Sequence, residues 1–202
     1  MKPRGKPLWL AAGLCVWMAA IVGASVLLWR YSAAPGTAAE APSRIPAEFR
    51  SHARPHEFTL LMAVHPRCPC SRASLAELAK ILTHSPDDCR TVVLAFKPSD
   101  EPDSWIETDL CRHARKLGAE VQIDEDGRHA LAMGMQTSGQ VLLYDPRGDL
   151  RYQGGVTSAR GHQGDNLGQR TVERILNGEA VPLAILPVYG CPILADSCTI
   201  PG

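Results

Sequence analysis

An uncharged run from Leu8 to Trp29, "LWLAAGLCVWMAAIVGASVLLW", constrains this chain more than any other feature. It has no polar face, so it does not suit the surface of a globular core. At about 1.5 Å per residue, roughly 20 apolar residues of helix span a hydrocarbon layer. The apolar part of a cleavable signal peptide is shorter, about 7–15 residues. Trp9, Trp29 and Tyr31 stand near the ends of the run, where amphipathic rings anchor membrane helices. Lys2, Arg4 and Lys6 precede it and only Arg30 follows at once. That basic excess predicts a cytoplasmic N-terminus (residues 1–7), a transmembrane signal-anchor over residues 8–29, and everything beyond Arg30 outside the cytoplasm. The protein is then expected as a single-pass cell-membrane protein, with its soluble part in the periplasm if the cell is Gram-negative. A leader cut within "YSAAPG" is the competing reading.

This topology decides how the cysteines are read. Cys15 lies inside the span as a small apolar filler. Cys68, Cys70, Cys89, Cys111, Cys191 and Cys198 fall where disulfides persist. Their connectivity is open at the level of sequence. Lys and Arg (21) balance Asp and Glu (21), and aromatics make up 5% of the chain. A nucleic-acid partner would call for a basic face with interleaved aromatics, and that class is set aside.

Residues 30–55, "RYSAAPGTAAEAPSRIPAEFRSHARP", are rich in Ala and Pro without periodicity and predict a flexible linker. From residue 56 to 178 the patterns alternate. "EFTLLMAV" and "RTVVLAF" read as buried strands, and "SRASLAELAKIL" carries apolar residues at helical spacing. Ser104 is the expected cap of a second helix, "WIETDLCRHARKLG", ending at Gly118. "AEVQID" is a strand and "EDGRHALAMGM" a short helix. "QVLLYD" and "LRYQGG" form a hairpin around "PRGD", and "QRTVERILNG" closes the domain as a helix. The order β-α-β-α-β-α-β-β-α predicts an α/β fold: a central mixed sheet flanked by helices, with the hairpin as an antiparallel edge. Residues 179–202 form an apolar tail with Cys191 and Cys198, expected to pack back on the domain.

Chemistry concentrates at Cys68-Pro69-Cys70. The pair follows the first strand and opens the first helix, the carboxyl end of the sheet where ligands gather. Unpaired N–H groups of a helix start favour a thiolate, and Arg67 and Arg72 add positive charge. Both effects predict thiols that ionise easily. Cys68, nearer the loop and expected as the more exposed, takes the attacking role. With one residue between them, the two cysteines reach disulfide geometry only if the chain bends, so a bond between them is expected to be strained and oxidising. Its potential should lie well above about −270 mV. His65, beside the motif, either tunes a thiolate or ends the strand. Cys89 and Cys111 read as structural.

The returning hairpin brings the loop "VTSARGHQGDNLG", Val156 to Gly168, back to the cysteine end. Its length and polar content exceed those of a simple connection. Arg160 and His162 are candidates to orient or protonate a leaving thiolate. His162 is alternatively a metal ligand, while Asp165 and Asn166 are candidate caps of the last helix. Cys191, between Gly190 and Pro192, either pairs with Cys198 or reaches the site as a resolving thiol.

This element order, with cysteines between the first strand and first helix, resembles the thioredoxin-like superfamily over Glu57 to Gly178. Within it the chain looks most like membrane-tethered TlpA and peroxiredoxin-like proteins, though the Thr-x-x-Cys signature of peroxiredoxins is not seen. The run "TSGQVLLYDPRGDLRYQGGVTSARGHQGDN" is similar to the RedB branch. The resemblance implies a membrane-anchored thiol–disulfide oxidoreductase that needs no cofactor. Its partners would be protein thiols and disulfides, together with a membrane electron donor. It sets Cys70 at the place of the second family cysteine and Arg67 where the nucleophile normally sits. It sets Ser138 where the family usually carries a cis-proline facing the cysteines. The alternative is a resemblance to Sco proteins, with Cys68, Cys70 and His162 binding copper or another soft metal. Sco-type motifs, however, space their cysteines more widely. A non-catalytic scaffold would carry unreactive cysteines.

Overall fold

The computed structural model describes residues 8–50, 57–84 and 89–194. The basic residues before the apolar run, His52, His56 and Cys198 lie outside that set. The chain divides into two compact units, residues 1–34 and 35–202. The first is a single helix, α1 (Leu8–Ala33), of 26 residues. It is long and apolar enough to cross a membrane, and it runs on past Trp29.

The second unit is built on a six-stranded sheet of order β3-β2-β1-β4-β5-β6. Its strands are β1 (Phe58–Val64), β2 (Cys89–Lys97), β3 (Glu120–Glu125), β4 (Gln140–Tyr144), β5 (Leu150–Gly155) and β6 (Ala184–Ile185). β1 lies inside the sheet, parallel to β2 from Phe58↔Cys89 to Val64↔Ala95 and antiparallel to β4. The apolar runs of β1 and β2 are continuous because the sheet buries them from both sides; Leu60 to Val64 and Val92 to Ala95 are all fully covered. The β4–β5 hairpin turns at Asp145. Its Oδ1 accepts the N–H groups of Arg147 (2.9 Å) and Asp149 (3.0 Å), and Gly148, at φ 85°, supplies the left-handed step. β6 adds a short parallel edge beside Tyr152 and Gln153, so the tail joins the sheet as well as packing on it. Helices α3 (Pro69–His84), α4 (Asp109–Lys116), α5 (Arg128–Ala132) and α6 (Leu167–Leu176) flank the sheet, and α3 packs against both α4 and α6.

Two expectations are corrected. The helix foreseen from Ser104 is broken in two. Asp103–Ile106 forms a 3₁₀ turn that drives Trp105 and Ile106 into the core. Thr108 then starts α4 afresh, its Oγ1 accepting from the Cys111 N–H at 3.4 Å. The segment foreseen as a free linker also differs. Beyond α1 it lies along the domain, where α2 (Ala47–Arg50) forms and Ala41, Ile45 and Phe49 are buried. Its backbone finds fixed partners: Ala39 N–H on Gly134 O (3.0 Å), Ile45 N–H on Gly148 O (2.9 Å) and Leu150 N–H on Ser43 O (2.9 Å). Side chains add to these, with Tyr144 Oη donating to Pro42 O at 3.0 Å and Gln153 Nε2 to Ala39 O at 2.6 Å. Composition alone reads Ala and Pro as a spacer. The few apolar side chains at 41, 45 and 49 are enough to dock it.

Candidate functional site

Helix α3 begins directly after Cys68, with Pro69 at the first helical position, where a missing N–H leaves no bond unmade. The turn into it is closed by Cys68 N–H on His65 O (3.0 Å) and Ser71 N–H on Cys68 O (3.1 Å). A buried serine pair fixes this corner. Ser71 Oγ donates to His65 O (3.0 Å), while Ser138 Oγ accepts from the His65 N–H (2.9 Å) and lies 2.6 Å from Ser71 Oγ. Since the Ser71 proton is committed to the carbonyl, the Ser138 hydroxyl donates to Ser71. Ser138, placed opposite the cysteines by resemblance, thus locks the end of β1 to the start of α3. Removing its hydroxyl strands a buried backbone N–H, and Ser138→Ala is expected to lower stability by about 1–3 kcal/mol in chemical denaturation.

The tail supplies the other wall. Ser138 N–H donates to Cys191 O (2.8 Å), Ile193 N–H donates to Gln136 O (2.9 Å), and Thr137 and Pro192 form an antiparallel bridge. Cys191 therefore enters the site from a strand-like segment. The Sγ atoms of Cys68, Cys70 and Cys191 all lie within 4.8 Å of one another. Among the described residues this is the group of metal-competent side chains that closes; His162 is exposed on the return loop and does not belong to it. The metal set foreseen with His162 is corrected accordingly: a third sulfur stands where the imidazole was expected.

Burial corrects two further expectations. Cys68 is 2% exposed, against 9% for Cys70 and for Cys191, so the loop-side cysteine is the deepest of the three. The Cys70 thiol is not one that ionises easily. Its hydrogen bonds with Cys191 and with Cys68, then its burial, push it far above the usual thiol range. The helix start is outweighed because three sulfurs share one buried site, where a charge on one opposes charge on the next. Arg67 does not relieve this, since its guanidinium lies over the Trp105 ring, 4.4 Å from the centroid. Arg72 lines a surface hollow with Asp109 and His113. Arg160 does reach the site: its guanidinium donates to Gly190 O, beside Cys191.

The other candidates are held by packing and capping contacts. His65 is buried, stacked on Phe96 (5.2 Å) and edge-on to Trp105 (5.6 Å), and its Nδ1 accepts the Arg67 N–H at 3.3 Å. Asn166 caps α6 by accepting from the Gln169 N–H at 2.7 Å. Cys111 is buried in α4. Cys89 opens β2, and burial pushes its thiol up to about 12 from an ordinary value of 9.0. A raised folded value means that folding favours the protonated thiol. The stability this contributes is complete below pH 9.0 and is lost as the pH rises through about 12. Denaturation curves across that window should show a decline that Cys89→Ala flattens.

Neither Ser71 nor Thr137 is singled out by the sequence, and Gly190 only as the neighbour of Cys191. A built Cβ at Gly190 would sit 2.0 Å from Ser138 O, so the tail seats only because residue 190 has no side chain. The one available signal was the glycine immediately before Cys191.

No protein-family model matches this chain, and no curated protein matches it by sequence. Solved structures do. An uncharacterized conserved protein from Geobacillus kaustophilus aligns at a TM-score of 0.56 and 17% identity, over 83% of this chain and 96% of that one. A hypothetical protein from Sinorhizobium meliloti 1021 aligns at 0.50 and 23% identity, over 81% and 92%. A secreted disulfide oxidoreductase of Mycobacterium tuberculosis, homologous to E. coli DsbE, aligns at 0.41 and 15% identity, over 60% and 81%. At these identities the likeness is one of fold.

Proposed function

We propose that this chain, whose mixed sheet flanked by helices we read as thioredoxin-like, is a membrane-tethered thiol–disulfide oxidoreductase working outside the cytoplasm. The observation that carries the reading is the trio Cys68, Cys70 and Cys191, gathered within 4.8 Å at the carboxyl end of a central strand. Cys70 and Cys191 are the exchanging couple. They come from different elements and approach without the backbone bend that a bond between Cys68 and Cys70 requires. Cys70, with both other sulfurs within 4.8 Å, is placed to attack a mixed disulfide formed on Cys191. Helix α1 is the anchor, oriented by the basic residues before it, and a membrane dithiol donor re-reduces the couple. The test is insulin reduction by the full-length protein in detergent, with an external dithiol as donor. Precipitation of the insulin B chain well above the donor-only rate is expected; a rate equal to the donor alone would contradict the reading.

A second reading is favoured by the same three sulfurs. A set of thiolates suits a soft cation such as Cu(I), whose charge would offset their mutual repulsion. One equivalent of Cu(I) is then retained by the full chain against a competing chelator. Binding should be lost in Cys191→Ser and unchanged in His162→Ala.

A further inference from the structure

We infer that Tyr189–Ile193 is a detachable arm, which seals the thiol trio at rest and carries Cys191 outward to meet a protein disulfide. The inference rests on the proposed exchange for its chemistry, but not for the motion itself. Three thiols at 2%, 9% and 9% exposure cannot be approached by the disulfide of another folded protein. Something covering them has to move, and the arm is the piece built to do so.

Its attachments divide at Val188. Upstream, the tail is held by Gly36 N–H on Val188 O (2.7 Å), Leu186 N–H on Gln153 O (2.9 Å) and Gly155 N–H on Pro187 O (3.2 Å), together with the pairing of β6. Downstream, the backbone bonds are those to Gln136 and Ser138, with the Arg160 guanidinium on Gly190 O and Ile193 tucked into the core. The arm is joined to residues 136–138 by an isolated antiparallel bridge between Thr137 and Pro192, an arrangement of main-chain bonds that another extended segment can take over. Release would free the Ser138 N–H and the Gln136 carbonyl, both of which then seek a partner. Gly190 sets the latch, since any Cβ there meets Ser138 O.

The chemistry balances within the couple. With the arm out, the Cys191 thiolate attacks a substrate disulfide. One sulfur–sulfur bond breaks, a mixed disulfide forms on Cys191, and the first substrate sulfur leaves as a thiolate. As the arm returns, Cys70 attacks Cys191 Sγ and its proton passes to the second departing substrate sulfur. Two electrons move from the protein dithiol to the substrate, leaving a Cys70–Cys191 disulfide, and an external dithiol restores the reduced pair. Cys191 is thus the contacting thiol and Cys70 the resolving one.

The test follows the rate at which a maleimide alkylates each cysteine of the reduced full-length protein in detergent, read by peptide mass spectrometry. Gly190→Ala keeps every thiol but breaks the latch. It is expected to speed alkylation of Cys68 and Cys70 at least tenfold while leaving Cys89 and Cys111 unchanged. If all cysteines accelerate together, deletion of everything after Val188 decides: Cys70 exposed with Cys111 still protected supports the arm. Cys70 protected as in the unaltered protein, in either variant, would overturn it. These rates need no substrate, so a failed insulin assay leaves them interpretable. The relay has its own readout. In Cys70→Ser, insulin should be trapped on Cys191; capture on Cys68 would contradict the assignment.

Discussion

Replacing Cys70 by serine is expected to reduce insulin turnover by on the order of 10³-fold, whereas Cys68→Ser should cost no more than about tenfold. The difference follows from what each sulfur does. Cys70 lies within 4.8 Å of both other sulfurs in a buried site. Without it, a mixed disulfide on Cys191 waits for an external thiol, and an attack with the large effective molarity of a positioned neighbour becomes bimolecular. Cys68, the deepest of the three, is left the role of a buried neighbour. Its loss changes the polarity around Cys70 without removing either member of the couple. Single-turnover rates of the two variants, measured by loss of free thiol, separate these roles directly. Equal loss in both would return Cys68 to the attacking position that its place in the sequence suggests.

Phe49→Ala is expected to lower the stability of the second unit by about 3–5 kcal/mol, the usual cost of deleting a buried phenylalanine. In a domain of this size that corresponds to a fall in Tm of roughly 10 °C. Phe49 is 2% exposed, and its ring meets His129 edge-on at 5.9 Å. Its carbonyl accepts from Arg90 Nη1 at 2.7 Å, and Arg90 in turn pairs with Glu120 at 2.6 Å. One short stretch before β1 thereby ties β2 and β3 together. A spacer would tolerate the change without effect, so thermal denaturation distinguishes a docked segment from a tether.

What could be read from the sequence, and what could not, follows from the range of the interactions involved. The strands of β1 and β2 announce themselves by unbroken apolar runs, and α3 by its period, because both are local consequences of burial. The placing of Cys68 and Cys70 at the mouth of α3 needs only the order of neighbouring elements. Cys191 is different. It is brought to Cys70 by Ser138 N–H on its carbonyl and by a glycine without a Cβ to obstruct it, contacts between distant parts of the chain that leave no pattern in either. The electrostatic expectation failed for a related reason. Arg67 is near in sequence but is drawn onto Trp105, and the sulfurs that govern Cys70 are nearer in space. The docked segment was hidden because Ala41, Ile45 and Phe49 are too widely spaced among Ala and Pro to show a period.

The most direct measurement is the disulfide formed when the reduced full-length protein is oxidised by a single equivalent of a two-electron thiol oxidant. Remaining thiols would be alkylated and the linked peptides identified by mass spectrometry. The account predicts a bond between Cys70 and Cys191, with Cys89 and Cys111 recovered as free thiols. Recovery of Cys191 as a free thiol, with the oxidising equivalent consumed elsewhere in the chain, would contradict it.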